Sequence, residues 1–405
     1  MVLSIFMPTV TGMDAQSHAL ETVSSNIANI STVGYKSDET LFHTLLGATP
    51  VAKGNQSGLS SSRVDVHGVG YYDRTNVTQQ GVVTPTANNY DVAINGTGNA
   101  FFTVKDRYSG DLYYTRAGDF RTNSTNGQVY LVNSSGLRVQ GFAANRDGSF
   151  ASSISDIIIE YPEKVPSTPT SKATVTANVP ASGVDNSNYG ITIYGPNNDG
   201  ETLNMLFTKV EGKANTWNIT FNINNGTVSP AEPVEAIFTQ DGKLSTPKNL
   251  NISVNWNDGS NNAIDLNIEN MTQYNGSTGI THVNQDGRES GNFIRSGIGD
   301  EGIVYASYSN GQTLNISKIA LSGFAAPDNL TPVSGTLFEA NSTTGNAYFL
   351  DTNKEYITSQ ALEQSTATVE KEFSKMVVIQ RAYSLNTSSF TAVDEMLQTV
   401  VNLKT

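Results

Sequence analysis

The feature that most constrains the fold is an apolar helical stripe at each end of the chain. Near the amino terminus, Met13, Leu20 and Ile27 recur every seven residues. Val23 and Ile30 add a second row beside them. This spacing is typical of an amphipathic helix near the heptad period. Residues from about 10 to 30 are therefore predicted to form a helix with one apolar face.

A second stripe closes the chain. Its apolar side chains follow steps of four and three residues or their sum, at Val369, Phe373, Met376, Tyr383 and Phe390. Polar Gln380 and Thr387 occupy two of the expected core positions, and after a shift of one residue the stripe continues through Val393, Leu397 and Val400. Neither stripe has a helical partner adjacent in sequence. The two ends of the chain are thus expected to meet and form a stalk.

The sequence between the stripes has the alternation of β-strands. Apolar residues occupy every second position in four segments, at 173–179, 217–223, 252–256 and 264–268. Period-two alternation predicts strands with one buried and one solvated face. Turn dipeptides such as Asp258-Gly259 and Asn310-Gly311 separate such segments. The proline-rich stretch 161–169 predicts a domain boundary, and the Ser- and Gly-rich stretch 55–62 predicts a flexible connection.

These patterns predict a mainly β protein with α-helical termini, in which β-barrel or sandwich-like domains are inserted on a two-helix, coiled-coil-like stalk. The expected stalk comprises residues 1–35 and 362–405, followed by a connecting segment at 36–70. An inner β domain is expected at 71–145 and 284–361, and an outer β domain at 146–283. A two-helix stalk buries little apolar surface alone, so it is expected to pack against copies of itself.

Composition excludes several classes of protein. The net charge of −13 opposes binding to nucleic acids or to anionic membranes. The chain has no cysteine, so disulfides and thiolate chemistry are absent. No apolar run is long enough for a membrane span, and residues 1–8 lack the features of a Sec-type signal peptide. We therefore expect neither a nucleic-acid partner nor membrane insertion.

No catalytic, cofactor or metal site is expected. The four histidines, His18, His43, His67 and His282, lack the spacing of metal ligands. The Gly-rich pairs at 68–70 and 96–98 do not complete a phosphate-binding motif. Carboxylates at 286, 289, 300 and 301 could supply a glycosidase pair, but in so acidic a chain solvated loop carboxylates are the better interpretation.

A motif at the end of the first stripe resembles the signature S-x-N-x-A-N-x-x-T-x-G-[FY]-K of flagellar rod and hook proteins. The residues that carry it are Ser25, Asn26, Ala28, Asn29, Thr32, Gly34, Tyr35 and Lys36. Asn and Thr side chains can end a helix by bonding to its backbone, and glycine permits the turn that follows. Pro8 departs from the family pattern and predicts a later start of this helix.

The resemblance continues along the chain. Residues 91–96 (DVAING) are similar to the entry into the family's first β domain, and residues 114–120 (YTRAGDF) match its Y-T-R-x-G-x-F pattern. Residues 380–383 (QRAY) and 394–398 (DEMLQ) resemble the family's closing helix. Residues 216–219 and 266–280 resemble the outer domain of hook proteins, which the shorter rod proteins lack.

This resemblance implies an extracellular structural subunit of the bacterial flagellar hook. Such a subunit polymerises with itself into a curved tube that transmits motor torque as a universal joint. Its implied partners are the rod, hook cap and hook–filament junction proteins and the flagellar export apparatus. The terminal stripes, Met13, Leu20, Val23, Ile27, Ile30, Phe373, Met376, Tyr383, Phe390, Leu397 and Val400, become candidate subunit-interface residues. A distal rod protein and a secreted β-rich adhesin are the alternatives.

Overall fold

The structure is a computed structural model that describes residues 2–46, 66–96, 98–145, 147–197, 200–350 and 356–402. The predicted flexible connection at 55–62 lies outside the described residues. The chain forms two compact units: one comprises Met1–Glu160, Ser296–Tyr305 and Asn315–Thr405, and the other Tyr161–Arg295 and Ala306–Leu314. The second unit thus begins at the first residue of the proline-rich stretch.

Two long helices form from the two ends of the first unit. Helix α1 is Val2–Ala28 and helix α2 is Val369–Asn402. The prediction that Pro8 delays the start of α1 is wrong, because α1 continues through it. Proline removes one backbone hydrogen bond, whereas Phe6 in the same turn packs on Phe390 of α2 with ring centroids 5.0 Å apart.

A long antiparallel hairpin follows α1. Its strands are β1, Asp38–Leu46, and β2, Val66–Thr75, and they pair from Asp38 with Thr75 to Leu46 with Val66. Both strands contact α1. The segment 36–70, expected as a connection, therefore contributes strand residues to this hairpin in its described parts.

The rest of the first unit is a β domain with an aromatic core that includes Phe101, Tyr114, Phe324 and Phe338. Its short strands are Val83–Pro85, Val92–Asn95, Phe101–Lys105, Leu112–Thr115, Arg121–Thr125, Gln128–Val132, Arg138–Ala144, Phe150–Asp156, Leu321–Gly323, Thr331–Ser334, Leu337–Glu339, Tyr348–Phe349, Tyr356–Ser359 and Ala361–Glu363. Three further strands contain residues of both units: Gly291–Ile298, Ile303–Tyr308 and Thr313–Ile319. Short 3-10 turns lie at Asp300–Gly302 and Pro327–Asn329.

The strands that lead into α2 close this domain. Tyr356–Ser359 pairs with Val92–Asn95, and Ala361–Glu363 pairs with Val83–Pro85. The carboxyl-terminal segment therefore belongs to the β domain until a few residues before α2 begins.

The second unit contains two five-stranded sheets around one core. One sheet has the order Gly226–Ser229, Asn249–Trp256, Asn261–Asn267, Lys172–Asn178 and Gly279–Gln285. The other has the order Asn186–Ile193, Glu201–Lys209, Thr216–Asn222, Val234–Phe238 and Leu244–Thr246. A two-residue strand, Lys164–Val165, pairs with Gly291–Ile298. Strands Lys172–Asn178 and Asn261–Asn267 are parallel.

The predicted alternation is confirmed in this unit. Ala173, Val175, Ala177 and Val179 are all buried, and the inward residues of both sheets form one hydrophobic cluster. The cluster includes both tryptophans of the chain, Trp217 and Trp256. Tryptophan fluorescence therefore reports on the second unit alone.

Candidate functional site at the terminal helix pair

Helices α1 and α2 pack against each other along most of their length. Gly12 lies beside Asn386: a β-carbon placed on Gly12 would be 3.0 Å from Asn386 Nδ2. Further toward the β domain, Asn26 Nδ2 donates to Glu372 Oε2 at 3.0 Å. The contacts move toward the start of α2 as they move toward the end of α1, so the two helices are antiparallel. The expectation that the chain ends meet is confirmed.

Small side chains form much of the face that α1 buries. Ala15 and Ala19, one helical turn apart, are 0% and 3% exposed, and Val23 is 4% exposed. Alanine permits close approach of neighbouring backbones, and neither Ala15 nor Ala19 belongs to the predicted stripe. The sequence analysis missed Ala15 and Ala19 because it searched for large apolar residues.

The predicted interface residues are found in three environments: buried, half-buried and exposed. Val23 is buried, and seven others are half-buried: Met13, Leu20, Ile27, Ile30, Met376, Phe390 and Leu397. Phe373 and Tyr383 are 51% and 44% exposed. The side chain of Val400 lies outside the described residues. The structure thus leaves part of the α2 stripe open to solvent.

Asn26 of the sequence motif organises the turn after α1. It is completely buried, and its side chain makes four hydrogen bonds. Its Nδ2 donates to the Asp38 carbonyl at 2.8 Å and to Glu372, while its Oδ1 accepts from the Asp38 amide and the Tyr35 hydroxyl, both at 3.0 Å. Burial raises the pKa of Tyr35 above its ordinary value, which favours the neutral phenol that donates this bond. One side chain therefore joins α1, β1 and α2.

The remaining motif residues end the helix and turn the chain. Asn29 Nδ2 donates to the Ser25 carbonyl at 2.9 Å, and Thr32 Oγ1 donates to Asn29 Oδ1 at 3.1 Å. Ala28 is the last residue of α1 and is exposed. Gly34 has a φ of +67°, and a β-carbon there would lie 2.5 Å from the Ala117 nitrogen. Only glycine fits this left-handed turn against the β domain.

Lys36, the last motif residue, enters a buried ionic cluster. Its Nζ lies 2.6 Å from Glu363 Oε1 and also donates to the Gln79 carbonyl. Arg116 of the YTRAGDF segment lies near the other carboxylate oxygen of Glu363, with its Nη1 3.8 Å from Glu363 Oε2. The Gly81 amide adds a 2.7 Å bond to Glu363 Oε1. We call Lys36, Glu363 and Arg116 the junction cluster.

Burial dominates the electrostatics of the junction cluster. It lowers the pKa of Lys36 to about 8, an effect that the positive charge of Arg116 reinforces and that Glu363 opposes. The three side chains are fully removed from solvent. Such a cluster is most sensitive to the loss of the Glu363 carboxylate, because Lys36 and Arg116 would then remain buried without a counterion.

The junction cluster brings together three distant parts of the chain. Lys36 follows α1, Glu363 precedes α2, and Arg116 belongs to the β domain between them. Two further bonds cross the same place: Ser37 N donates to Thr366 Oγ1 at 2.9 Å and Thr366 N donates to the Tyr35 carbonyl at 3.1 Å. The sequence analysis quoted Lys36 and Arg116 within motifs but missed Glu363. An isolated glutamate in a strand gives no sequence signal that it is buried.

A second polar cluster attaches the hairpin to α1. His18 Nε2 lies 2.7 Å from Asp73 Oδ2, and the His18 ring stacks on Tyr71 at 4.4 Å. Thr40 and Thr22 donate to Asp73 Oδ1 at 2.7 and 3.4 Å. His18 thus has a local structural role in fixing the hairpin.

The described residues offer neither a metal site nor a membrane-spanning helix. Within that part of the chain, no three His, Cys, Asp or Glu side chains are grouped as metal ligands would be. Neither described helix has a segment apolar and long enough to cross a bilayer.

The geometry defines a class of protein: one whose two terminal segments form a helix pair, with β domains inserted between them and a buried junction to the first of these domains. Four family profiles match it in chain order. The profiles for flagella basal body rod protein and the FlgE/F/G D1 domain of flagellar hook protein match residues 9–36 and 93–184. Those for the FlaE D2 domain of flagellar basal body protein and the FlgEFG carboxyl-terminal region match residues 162–288 and 358–403.

Full-length relatives identify the family. The flagellar hook protein FlgE of Brucella melitensis is 30% identical over 411 residues, which cover 98% of this chain and 97% of the relative. That of Salmonella typhimurium is 27% identical over 427 residues, covering 98% of this chain and all of the relative. The chain belongs to the flagellar hook protein FlgE family.

A solved structure is also similar. The crystal structure of Helicobacter pylori flagellar hook protein FlgE2 matches with a TM-score of 0.47 and 13% identity, over 69% of this chain and 100% of that one.

Proposed function

We propose that this chain is the structural subunit of a bacterial flagellar hook and polymerises into a tube outside the cell. Family membership over nearly the whole length supports a structural role in the hook, since the relatives are named flagellar hook proteins. The helix pair is the observation that supports polymerisation, because large apolar side chains of α2 are exposed along a helix of 34 residues. Exposed apolar surface of this kind marks protein interfaces.

In this proposal the helix pairs pack together in the inner wall of the tube. The candidate contact residues are those of the two stripes, and the half-exposed Phe373 and Tyr383 are the most available to a neighbouring copy. Burying a large apolar side chain contributes about 1.5–3 kcal/mol, and in a polymer each contact recurs in every subunit.

The β domains form the outer layers in the same proposal. We keep the finer division as a proposal: a stalk at 1–35 and 362–405, a connection at 36–70, an inner domain at 71–145 and 284–361, and an outer domain at 146–283. Sliding between outer layers would let the tube bend while it transmits torque, as a universal joint does.

The further partners follow from the place of a hook in the flagellum. The rod lies at one end and the junction to the filament at the other, a cap covers the growing tip, and the export apparatus delivers the subunits. A distal rod subunit is the alternative. The hook is favoured because a flagellar D2-domain profile matches residues 162–288, the insertion by which hook proteins exceed rod proteins in length.

Electron microscopy of the purified full-length chain tests the proposal. Polymerised protein is expected to form curved tubes in negative stain. A matched variant that lacks residues 1–28 should stay monomeric, because α2 then has no partner. Straight rods would favour the rod alternative, and amorphous or monomeric protein under all polymerising conditions would exclude the tube.

A further inference from the structure

Asn-Gly dipeptides occur at five places in the chain, 95–96, 126–127, 225–226, 275–276 and 310–311. The backbone nitrogen after an asparagine can attack the carbonyl carbon of that asparagine's side chain. Glycine leaves this nitrogen the most accessible, because it has no β-carbon. The attack also requires that the side chain and the following peptide group can change their relative orientation. The five dipeptides therefore differ in reactivity according to how firmly the fold holds each of them.

Asn275 lies in an exposed bend of the second unit, before the strand Gly279–Gln285. Its side-chain amide makes no hydrogen bond with any described residue, and neither does the backbone nitrogen of Gly276. A β-carbon on Gly276 would have one described atom within 4 Å beyond the adjoining residues, Asn178 Nδ2 at 3.9 Å. The side-chain carbonyl carbon of Asn275 and the nitrogen of Gly276 are therefore free to approach each other.

The bend at 275–277 is anchored on both sides. Asn178 holds Tyr274 with two hydrogen bonds: its Oδ1 accepts from the Tyr274 amide at 2.9 Å, and its Nδ2 donates to the Tyr274 carbonyl at 3.3 Å. On the other side, Thr278 Oγ1 lies 3.3 Å from Ser187 Oγ. A rearrangement at 275–277 is therefore confined to the bend and leaves the strand pairing of the second unit in place.

Asn310 is the clearest contrast, because both its side chain and the following nitrogen are held. Its Nδ2 donates to the Glu289 carbonyl at 2.8 Å, and its Oδ1 accepts from the Gln312 amide at 3.0 Å. The Gly311 nitrogen donates to the Tyr308 carbonyl at 3.0 Å. All three hydrogen bonds have to break before the side chain and the following peptide group can reorient.

The remaining three dipeptides are held by strand pairing. Asn95 and Gly226 belong to paired strands. The dipeptide at 126–127 is the two-residue turn of an antiparallel hairpin. Reorienting the peptide group at any of these positions would disturb the pairing of the adjacent strands.

We propose that Asn275 is a site of spontaneous deamidation. The Gly276 nitrogen loses its proton to solvent and forms a bond to Asn275 Cγ. The bond between Cγ and Nδ2 breaks, and Nδ2 takes up a proton and leaves as ammonia. Water then opens the cyclic succinimide at either carbonyl carbon, which gives aspartate or isoaspartate.

The net reaction converts an amide and water into a carboxylic acid and ammonia, with no oxidation or reduction. The ionised product adds a negative charge at an exposed position, and isoaspartate also adds a carbon atom to the backbone. The reaction needs only this chain and water, so the inference is independent of the proposed function.

Peptide mapping by mass spectrometry tests this inference on the folded, full-length chain during incubation at mildly alkaline pH. Peptides that contain Asn275 should accumulate aspartate and isoaspartate about tenfold or more faster than those that contain Asn310, whose hydrogen bonds have to break first. Digestion in heavy-oxygen water labels any deamidation that occurs during sample handling. In urea the two rates should become similar, because the fold then protects neither asparagine.

Gly276→Ala is the matched variant. Its β-carbon has space, and the φ of Gly276 is not in the left-handed region, so the variant should fold with unchanged tryptophan fluorescence. Deamidation of Asn275 should become several-fold slower in it, because the added methyl group hinders the attacking nitrogen. Equal rates at Asn275 and Asn310 in the folded protein, or an unchanged rate in Gly276→Ala, would overturn the proposal. If Asn275 kept the same lead in urea, its reactivity would come from the local sequence, which would overturn the role assigned to the fold.

Discussion

Lys36 Nζ lies 2.6 Å from Glu363 Oε1, and both side chains are fully buried. The two residues are separated by almost the whole β region, yet they meet where the two helices join the β domain. A force applied to the helix pair therefore reaches the β domain through buried, charged contacts as well as through the backbone. This geometry makes the junction cluster a sensitive place for mutation.

Glu363→Gln is expected to destabilise the first unit by about 3–5 kcal/mol, because Lys36 and Arg116 would remain buried without their counterion. Urea unfolding followed by circular dichroism measures this loss, while tryptophan fluorescence reports the second unit, which should be unchanged. Glu235→Gln is the matched control. Glu235 pairs with Lys213 at the surface, so Glu235→Gln should lower the free energy of unfolding by no more than about 1 kcal/mol. Equal effects of the two substitutions would contradict the role of the junction cluster.

Gly34→Ala should destabilise the folded protein more than the same substitution at an open turn. A β-carbon at Gly34 would lie 2.5 Å from the Ala117 nitrogen, and the backbone φ is also positive. Gly127 has a φ of +80° but no atom within 4 Å of a β-carbon, so Gly127→Ala should cost only about 1–2 kcal/mol. Thermal melts of the two variants check this order. A Gly34→Ala melt equal to that of Gly127→Ala would show that the turn can move away from the β domain.

The alkaline stability of the second unit should depend on Tyr189. Its hydroxyl donates to the Asn178 carbonyl at 2.6 Å, and burial raises its pKa to about 12 from an ordinary value of 10.0. The folded state therefore holds this proton more tightly than the unfolded state. The resulting stabilisation is fully present below pH 10 and is lost as the pH rises toward 12.

Tyr189→Phe removes this titration along with one hydrogen bond. At pH 8 the variant should be about 1 kcal/mol less stable than the unmodified protein, and it should lose less stability between pH 10 and 12. Tryptophan fluorescence during urea unfolding at several pH values measures both effects. Tyr108, which is 83% exposed, provides the control variant Tyr108→Phe, which should follow the unmodified protein. Parallel curves for Tyr189→Phe and the unmodified protein would refute this assignment.

Patterns with a regular period were predictable from the sequence. The strands around Val175 and Trp217 follow from alternation, and the two terminal helices follow from their stripes. The partnership of α1 with α2 follows as well, because neither helix has another helix near it in sequence. The stop after α1 follows from the motif at 25–36, whose Asn and Thr side chains bond to neighbouring backbone and side-chain groups at the end of the helix.

Features that depend on three-dimensional context were not predictable. Ala15 and Ala19 are buried on α1, but alanine is too small and too common on every helix face to mark an apolar stripe in the sequence. Phe373 and Phe390 belong to the same stripe in the sequence, yet Phe390 faces α1 and Phe373 is half-exposed. A stripe that repeats every seven residues has a period of 3.5 residues, whereas a straight α-helix has 3.6 residues per turn. The stripe therefore rotates gradually around the helix, and its members lie on two different faces. Glu363 and Arg116 are charged residues whose burial becomes apparent only when the distant segments meet.

A carboxylate within the helix pair should prevent polymerisation without unfolding the second unit. Ile27 and Leu397 are half-buried, so Ile27→Asp or Leu397→Asp would place a charge in a partly apolar environment, which costs more than losing the methyl groups alone. Ser24 is exposed on α1, and Ser24→Asp supplies the same charge at a solvated position. Sedimentation of polymerised protein should therefore show tubes for Ser24→Asp and none for the other two variants.

The melting temperature of the second unit, followed by the fluorescence of Trp217 and Trp256, should be the same in all three variants, since the substituted residues belong to the first unit. Normal tube yield from Ile27→Asp or Leu397→Asp would exclude the helix pair from the subunit contacts. A fall in the fluorescence melt would instead show that the helices stabilise the β domains of their own chain. In that case the loss of tubes would follow from unfolding and would say nothing about packing between subunits.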